Sequence, residues 1–265
     1  YGAVSAVMLV YVALIATIRL WMRPRAVPLW ILAAFALLAT VKVPPMGSGA
    51  LMRALHDMVP APLRNGDWAG LLPWLGDRLW SEILPGLWAT LVVGQIALAL
   101  TGILAFLAFG LVVRQVAGRA GRIGGDLVLI LLRSFPEYML AYIFLQIFGP
   151  SMLPAVLALA LHNAAIIAHL TGREAEGITA ELRADAPSGL TLWGWELVPR
   201  LFGPFLALCL YRWEIILRET AVMGLLGVAT LGFYVDAAMQ QLRLDRALVL
   251  LIASGLMTAA VDALS

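Results

Sequence analysis

The feature that most constrains this chain is a series of apolar runs, each about as long as a helix that crosses a bilayer. One of them, residues 83–113, contains no charged side chain. The others are predominantly apolar and lie at 2–18, 26–43, 127–148, 151–170, 199–217, 220–235 and 247–263. Hydrophobic residues make up 62% of the chain and charged residues 13%, against roughly 45–50% and 25% in soluble domains. The sequence therefore predicts an all-α integral membrane protein with about seven transmembrane helices and one candidate re-entrant segment.

The composition also excludes several kinds of chemistry. The net charge of +2 is too small to indicate a nucleic-acid partner, and the single cysteine, Cys209, allows neither an intrachain disulfide nor a cysteine-rich metal site. A phosphate-binding loop needs Gly-x-x-x-x-Gly-Lys-Ser/Thr, but the only lysine, Lys42, stands in Val-Lys-Val-Pro. Any ATP hydrolysis therefore belongs to a partner. His162 and His169 lie about 10 Å apart along one helix, which favours hydrogen bonds between helices over a shared metal ion.

Arginines in short loops predict which loops face the cytoplasm. Two loops are marked in this way, one by Arg19, Arg23 and Arg25 and the other by Arg114, Arg119 and Arg122. By alternation, residues 171–198 and the C-terminus are expected to be cytoplasmic, whereas residues 44–82 and the Gly149-Pro150 turn are expected outside. Residues 44–82 mix charges with proline and tryptophan, which is typical of interfacial amphipathic pieces.

The cytoplasmic stretch 171–198 is too short for a domain and too polar for a span. We expect a short helix from Glu174 to Arg183, a turn at Pro187-Ser188-Gly189, and a second short helix from Leu190 to Glu196 that ends at Pro199. Such a projection suits the docking of a soluble partner. An amphipathic loop lying on the membrane fits the same residues.

Charged residues within the apolar runs are costly in hydrocarbon, and they face either one another or a cavity. Arg133 and Glu137 are four residues apart and so are Glu214 and Arg218, so both pairs are expected to share a helix face. Arg212 and Glu219 lie nearby. One interpretation is that these charges neutralise one another between helices. The other is that Arg133, Arg212 or Arg218 lines a path for an anion.

One stretch of the predicted cytoplasmic region resembles a sequence pattern of a known family. Residues 180–186, Ala-Glu-Leu-Arg-Ala-Asp-Ala, followed by Leu197-Val198-Pro199, are similar to a degenerate coupling loop of ABC importer permeases. In that family the pattern opens with Glu-Ala-Ala, has a glycine six positions on and ends near Leu-Pro. Here Ala180 and Ala186 stand at the positions of the glutamate and the glycine, with Glu181 one place late.

Three further stretches resemble the permeases of phosphonate ABC transporters. They are Leu132 to Glu137 with Ile143-Phe144 and Gly149-Pro150, then Leu159 to His162, and finally Tyr211 to Glu214 with Arg218, Thr220, Gly224, Gly227 and Gly232. The resemblance covers roughly residues 83–265, whereas residues 1–82 match no motif of the family.

The resemblance implies an architecture and a set of partners. Residues 83–265 would form the five-helix core of a type I importer permease, with the coupling loop at about 171–198, and residues 1–82 would add membrane helices and an external segment. The implied partners are a second copy of the permease, a cytoplasmic ATPase dimer and a periplasmic binding protein, in a bacterial inner membrane. The chain itself would be no enzyme and would bind no cofactor, since ATP and Mg are used by the ATPase.

The implied cargo is a small phosphorus oxyanion such as a phosphonate or phosphite. For its path we expect Arg133 and Arg212, held in place by Glu137 and Glu214, with Arg218 nearby. The expected contacts to the ATPase come from the coupling residues Ala180, Glu181, Arg183, Ala184, Asp185, Ala186, Pro187, Ser188 and Gly189.

Three other functions are compatible with parts of the sequence. A permease of the same fold could carry methionine, phosphate or another oxyanion. A polytopic enzyme acting on lipid-linked substrates would normally cluster Asp, His or Ser at one membrane face, but here these residues are dispersed. An assembly subunit without transport would need no ATPase.

Overall fold

The computed structural model describes residues 27–40, 49–182 and 185–263, with side chains from Ile31 onward. The chain divides into two units, residues 1–52 and residues 53–265. The first unit contributes one apolar helix, and the second contains the rest of the described fold. The predicted span 2–18 and the arginine loop at residues 19–25 lie outside the described residues.

The described residues are almost entirely helical and contain no β-strand. We number the α-helices in chain order: α1 Val27–Thr40, α2 Ala50–Met58, α3 Ala61–Arg64, α4 Leu71–Arg78, α5 Leu84–Ala108, α6 Arg114–Ser134, α7 Glu137–Phe148, α8 Leu153–Ala180, α9 Val198–Val222, α10 Leu231–Gln240 and α11 Leu244–Asp262. Short π-helical or 3-10 turns extend α5 and α9 at both ends, at Leu79–Ile83, Phe109–Val112, Leu192–Leu197 and Met223–Leu226.

Within the part of the chain that the structure describes, three helical segments are long and apolar enough to cross a membrane, namely Leu71–Val112, Leu153–Ala180 and Leu244–Asp262. Two bent pairs, α6 with α7 and the α9 segment with α10, raise the number to five if each pair forms one span. The all-helical membrane fold is thus confirmed, but the predicted number of seven spans is not. The predicted span 26–43 is described only as the shorter helix α1.

The predicted span 127–148 is not a single helix. It breaks between Ser134 and Glu137, and the two parts are bent by 93°. Pro136 explains the break, because it lacks an N–H and forces the residue before it out of the helical conformation. Phe135 accordingly has the extended angles φ −81° and ψ 125°.

The central helix α8 runs ten residues beyond the predicted span 151–170. The expected separate helix Glu174–Arg183 is therefore wrong, since its residues up to Ala180 are the last turns of α8. The reason is that Thr171, Gly172, Ala175 and Thr179 continue the buried face of the helix, while Arg173 and Glu174 are exposed and Glu176 contacts Arg122. Helical spacing of small residues thus outweighs the polarity of this stretch.

The second expected helix of the coupling region is also wrong in its end point. A π-helical turn at Leu192–Leu197 runs directly into α9, and Pro199 lies in the first turn of that helix rather than after its end. Proline is tolerated there because the π-helical turn before it interrupts the regular ladder of hydrogen bonds, so the missing N–H falls at an existing break in the ladder.

Contacts at the two ends of α5 show which loops lie together. Before α5, Glu82 pairs with Arg78 at 2.7 Å and with Arg246 on α11, and Asp245 lies 3.5 Å from Arg64 on α3. Residues 61–82 and the start of α11 are therefore at the same end, as the predicted alternation requires. We refer to these five residues as the outer charge cluster.

At the other end of α5, three chain segments meet. The backbone N–H of Gly189 donates to the carbonyl of Gln115 at 2.9 Å, and Arg122 lies 3.1 Å from Glu176. Trp193 packs on the ring of Phe106 with a centroid distance of 5.2 Å. The arginine loop at 114–122 and the coupling region thus lie together, which agrees with their predicted placement on one side of the membrane.

Glycines allow the helices of the second unit to approach closely. A Cβ at Gly94 on α5 would lie 2.3 Å from Leu217 on α9, and one at Gly172 on α8 would lie 3.0 Å from the carbonyl oxygen of Phe109. The tightest place is Gly232 on α10, where a Cβ would lie 1.7 Å from the carbonyl oxygen of Ala221. Small residues at helix contacts are the usual means of packing helices in membranes.

We expect Gly232→Ala to destabilise the protein by about 1–3 kcal/mol, because the methyl group meets backbone that has to move. Thermal unfolding of the purified protein in detergent measures the effect. Gly255→Ala on α11 is the matched control, since a Cβ there has no neighbour within 4 Å. Equal unfolding temperatures for both variants and the wild type would contradict this account of the packing.

Candidate translocation site and coupling segment

The break between α6 and α7 faces the middle of α8. His162 Nδ1 lies 2.9 Å from the carbonyl oxygen of Phe135, and its Nε2 lies 3.8 Å from Glu137. The Nδ1–H tautomer therefore donates to a carbonyl that the break has released from the helix. His162 is nine residues after Leu153, about 14 Å along α8, which places the break near the middle of a hydrocarbon core about 30 Å thick.

The next residue on α8 is the centre of a hydrogen-bond network. Asn163 is fully buried, and its Oδ1 accepts a hydrogen bond from Arg212 Nη1 at 3.1 Å. Its Nδ2 donates to Glu219 Oε2 at 3.1 Å and to the carbonyl oxygen of Leu159 at 3.0 Å. Both hydrogens and the oxygen of the amide are therefore used, as a buried polar group requires.

The spacing of residues on α9 explains why this network forms. Arg212, Ile216 and Glu219 follow one another at intervals of four and three residues, so they lie on one face of the helix. Ile216 is completely buried. Because this face packs on α8, the two charged side chains on either side of Ile216 reach Asn163. We call Arg212, Asn163 and Glu219 the interior network.

The structure changes the predicted pairing of the path residues. Arg133 and Glu137 do not pair, because the break places them on two helices of different direction, so the prediction that they share a helix face is wrong. Glu137 lies beside His162 instead. Among the described residues Arg133 forms no ion pair, and it occupies the last turn of α6, where a cation is favoured by the helix dipole.

The other predicted pair is present. Arg218 forms an ion pair with Glu214 one turn earlier, and the Arg218 side chain is 61% exposed in this single chain. Glu214 therefore balances Arg218 and not Arg212, contrary to our expectation. Arg218 and Arg212, two of the three candidate path arginines, therefore have different partners. Arg218 contacts a carboxylate, and Arg212 contacts an amide.

Asn163 is the residue that sequence reasoning missed. A single asparagine inside an apolar run was a usable signal, because an amide in hydrocarbon needs a partner and marks a contact between polar groups of different helices. His162 was expected to bond between helices, and its contact with Phe135 confirms that expectation.

The coupling residues form a short exposed connection between α8 and the α9 segment. Ala180 is the last residue of α8, Glu181 follows in a turn, and Arg183 and Ala184 lie outside the described residues. The remaining members of the set are at least partly exposed: Asp185, Ala186, Pro187, Ser188 and Gly189. Gly189 has a φ of +70° and is tied to Gln115, so this end of the connection is fixed to the neighbouring loop.

An apolar pocket of about 360 Å³ opens beside this connection. Leu107, Leu111 and Val116 form part of its wall, and Leu190 and Trp193 close it from the coupling side. Leu190 is 80% exposed. The segment therefore offers a partner both a polar turn and apolar side chains.

The fold of the chain matches that of a solved transporter. The chain has the fold of an ABC transporter permease, since 69% of it superposes on 90% of a chain from the crystal structure of an amino acid ABC transporter with histidines, with a TM-score of 0.57 and 17% identity. No protein-family model matches the chain.

Two permease proteins are similar to this chain in sequence. The chain is 28% identical over 188 residues to the phosphite transport system permease protein PtxC of Stutzerimonas stutzeri, covering 67% of this chain and 68% of that protein. It is 31% identical over 125 residues to the phosphate-import permease protein PhnE of Mycolicibacterium smegmatis, covering 46% of this chain and 24% of that protein. The resemblance to ABC transporter permeases is thereby confirmed, and the two relatives are named for phosphite and for phosphate.

We expect His162→Leu to destabilise the protein by about 1–3 kcal/mol, because the carbonyl of Phe135 loses its donor at a depth without water. His162→Gln keeps an N–H donor of similar reach and should cost less. Thermal unfolding in detergent, compared for the two variants, is the measurement. A leucine variant as stable as the glutamine variant would show that the hydrogen bond does not support the break.

Proposed function

We propose that this protein is the permease subunit of an ABC importer that moves a small phosphorus oxyanion, phosphite or a phosphonate, into the cytoplasm. The permease class is supported by the fold and by both sequence relatives. The observation that carries the choice of cargo is the similarity to a phosphite permease over two thirds of both chains. The interior network supplies a physical reason why such a cargo fits.

An oxyanion that crosses a low-dielectric path needs a compensating positive field. Arginine provides it, because its planar guanidinium matches the oxygens of a phosphorus oxyanion and remains charged at all relevant pH values. Arg212 and Arg133 lie in the membrane-spanning part of the chain, and among the described residues neither has a carboxylate as an ion-pair partner. Both residues are therefore assigned to the path, whereas Arg218 is assigned to packing because Glu214 neutralises it.

The proposed cycle is alternating access. Two permeases form a dimer, a periplasmic binding protein delivers the anion, and a cytoplasmic ATPase pair uses ATP and Mg. Closure of the ATPase pair displaces the coupling segment, and the helices on either side of it, α8 and α9, carry the displacement to the interior network because both run from that segment to the middle of the membrane. The chain itself contributes no catalytic residue to this cycle.

Phosphate is the second candidate cargo, and the name of the Mycolicibacterium smegmatis relative favours it. Phosphite and phosphate differ in one substituent on phosphorus, so one guanidinium site can accept either. Selection between them would lie mainly with the binding protein, since a path that holds its cargo tightly would not release it.

Uptake by the assembled transporter tests the proposal. The permease, the ATPase and the binding protein encoded with it would be reconstituted in liposomes, and ATP-dependent entry of labelled phosphite, methylphosphonate and phosphate would be compared. We expect phosphite or methylphosphonate to enter fastest. Faster entry of phosphate would select the second candidate, and entry of none of the three, with ATP hydrolysis intact, would refute an oxyanion cargo.

Replacing residues 181–189 with a Gly/Ser linker is the control for the permease class. The ATPase should co-purify with the wild type and not with the linker variant. If the ATPase co-purifies with both the wild type and the linker variant, it binds elsewhere on the chain. If it co-purifies with neither, the chain is not a permease of this class.

We expect Arg212→Gln to lower phosphite uptake by at least about tenfold, because the anion loses a charged donor in a low-dielectric path. The double variant Glu214→Gln with Arg218→Gln removes an ion pair as a unit and should lower uptake less than about threefold, because its two opposite charges already cancel each other. Initial rates at equal amounts of folded protein are the measurement. The reverse order of effects would place the path on the other side of α9.

A further inference from the structure

In the interior network, the uncharged side chain of Asn163 holds the charged side chain of Arg212 in place. Arg212 donates to the amide oxygen of Asn163, and no described carboxylate forms an ion pair with it. The negative group of the network, Glu219, contacts the other end of the amide. A charge-balanced packing contact would more simply place the carboxylate directly on the guanidinium, as Glu214 does for Arg218.

The orientation of the amide follows from its neighbours. Glu219 Oε2 and the carbonyl oxygen of Leu159 are both acceptors, so they require the NH₂ group of Asn163, and the oxygen is left for Arg212. The reverse orientation would face NH₂ with a guanidinium and oxygen with a carboxylate, and every one of these contacts would be lost. Because Asn163 is fully buried, water cannot replace them.

This arrangement has a consequence for the charge of Arg212. A guanidinium has five N–H donors, and a carboxylate in direct contact engages them in pairs and cancels the field. Here the amide oxygen accepts one hydrogen bond from Arg212 and adds no charge. Arg212 is therefore fixed in position without a carboxylate in direct contact, and Glu219 weakens its field only from the far end of the amide.

We propose that Asn163, oriented by Glu219, is a positioning residue that keeps Arg212 in place without neutralising it, so that the guanidinium can bind the oxyanion during translocation. Glu219 acts through the amide and not on the anion. The inference rests on the proposed function in that the ligand is an oxyanion, but it does not depend on which oxyanion is carried.

A pair of isosteric exchanges separates this role from ordinary packing. In the double variant Asn163→Asp with Glu219→Gln, the chain keeps its net charge, its side-chain volumes and a hydrogen bond between the two positions, and it loses the hydrogen bond from residue 163 to the carbonyl of Leu159. The exchange moves the carboxylate from position 219 to position 163, where it contacts Arg212 directly. If the network serves only to balance a buried charge, the exchange should have no effect on the anion.

Two readouts are compared for the exchanged and wild-type proteins. One is the initial rate of phosphite uptake by the reconstituted transporter with saturating binding protein, which we expect to fall by at least about tenfold in the exchanged protein because Arg212 is now paired. The other is the rise in unfolding temperature of the full-length chain on adding sodium phosphite in place of sodium chloride at equal ionic strength, which we expect to be lost. A wild-type uptake rate and an unchanged phosphite shift would overturn the proposal.

Two single variants keep the test decisive if the exchanged protein does not fold. Glu219→Gln retains an amide oxygen that accepts from Asn163, so the orientation is kept, and the phosphite shift should be equal to or larger than that of the wild type. Glu219→Leu removes the acceptor, frees the amide and should reduce the shift. Equal shifts in both, or a loss in Glu219→Gln alone, would contradict the role assigned to Glu219.

The two proposals fail in different ways. If the wild type is stabilised by phosphite but the transporter carries no phosphorus oxyanion, the cargo is wrong and the role of Asn163 is still decided by the unfolding shifts. If phosphite enters at a rate that the exchange of residues 163 and 219 does not alter, the cargo is right and the positioning role is refuted.

Discussion

The structure depends on one constraint, which is that polar groups in hydrocarbon need partners within the protein. The central helix α8 meets this constraint for its neighbours. It is the most buried of the three long spans, and seven of its fifteen buried residues are alanine, so other helices approach it closely. Where that surface turns polar, at His162 and Asn163, it satisfies a broken helix on one side and a charged helix on the other. The same helix, α8, therefore supports both the candidate path and the packing of the bundle.

Much of the architecture was predictable from the sequence because it follows from hydropathy over long windows. The apolar runs that became α5, α8 and α11 are long, and their assignment needs no knowledge of neighbours. Arginine placement also grouped the loops correctly, since the contact between Gly189 and Gln115 joins two segments predicted for one side. Information of this kind is local, and tertiary packing does not reverse it.

The errors came from applying helical spacing across points where the helix is not continuous. Arg133 and Glu137 are four residues apart, but Pro136 lies between them, and the rule for such pairs holds only within one helix. The opposite error occurred at residues 171–180, where polarity suggested a loop although small buried residues continued the helical pattern. The contact between Asn163 and Arg212 joins residues 49 positions apart and depends on how two helices pack, so no local pattern could specify it.

The helical run from Leu71 to Val112 has a mechanical consequence. With 42 residues it is about 63 Å long, roughly twice the thickness of the hydrocarbon core. One end carries Arg78 and Glu82 of the outer charge cluster, and the other packs against Trp193 beside the coupling segment. One continuous helical run thus joins the two faces of the membrane protein. A tilt imposed at the coupling end would displace the outer charge cluster in the opposite direction. Because α5 packs closely on Leu217 of α9 at Gly94, the same tilt would also change the contacts in the core between the two surfaces.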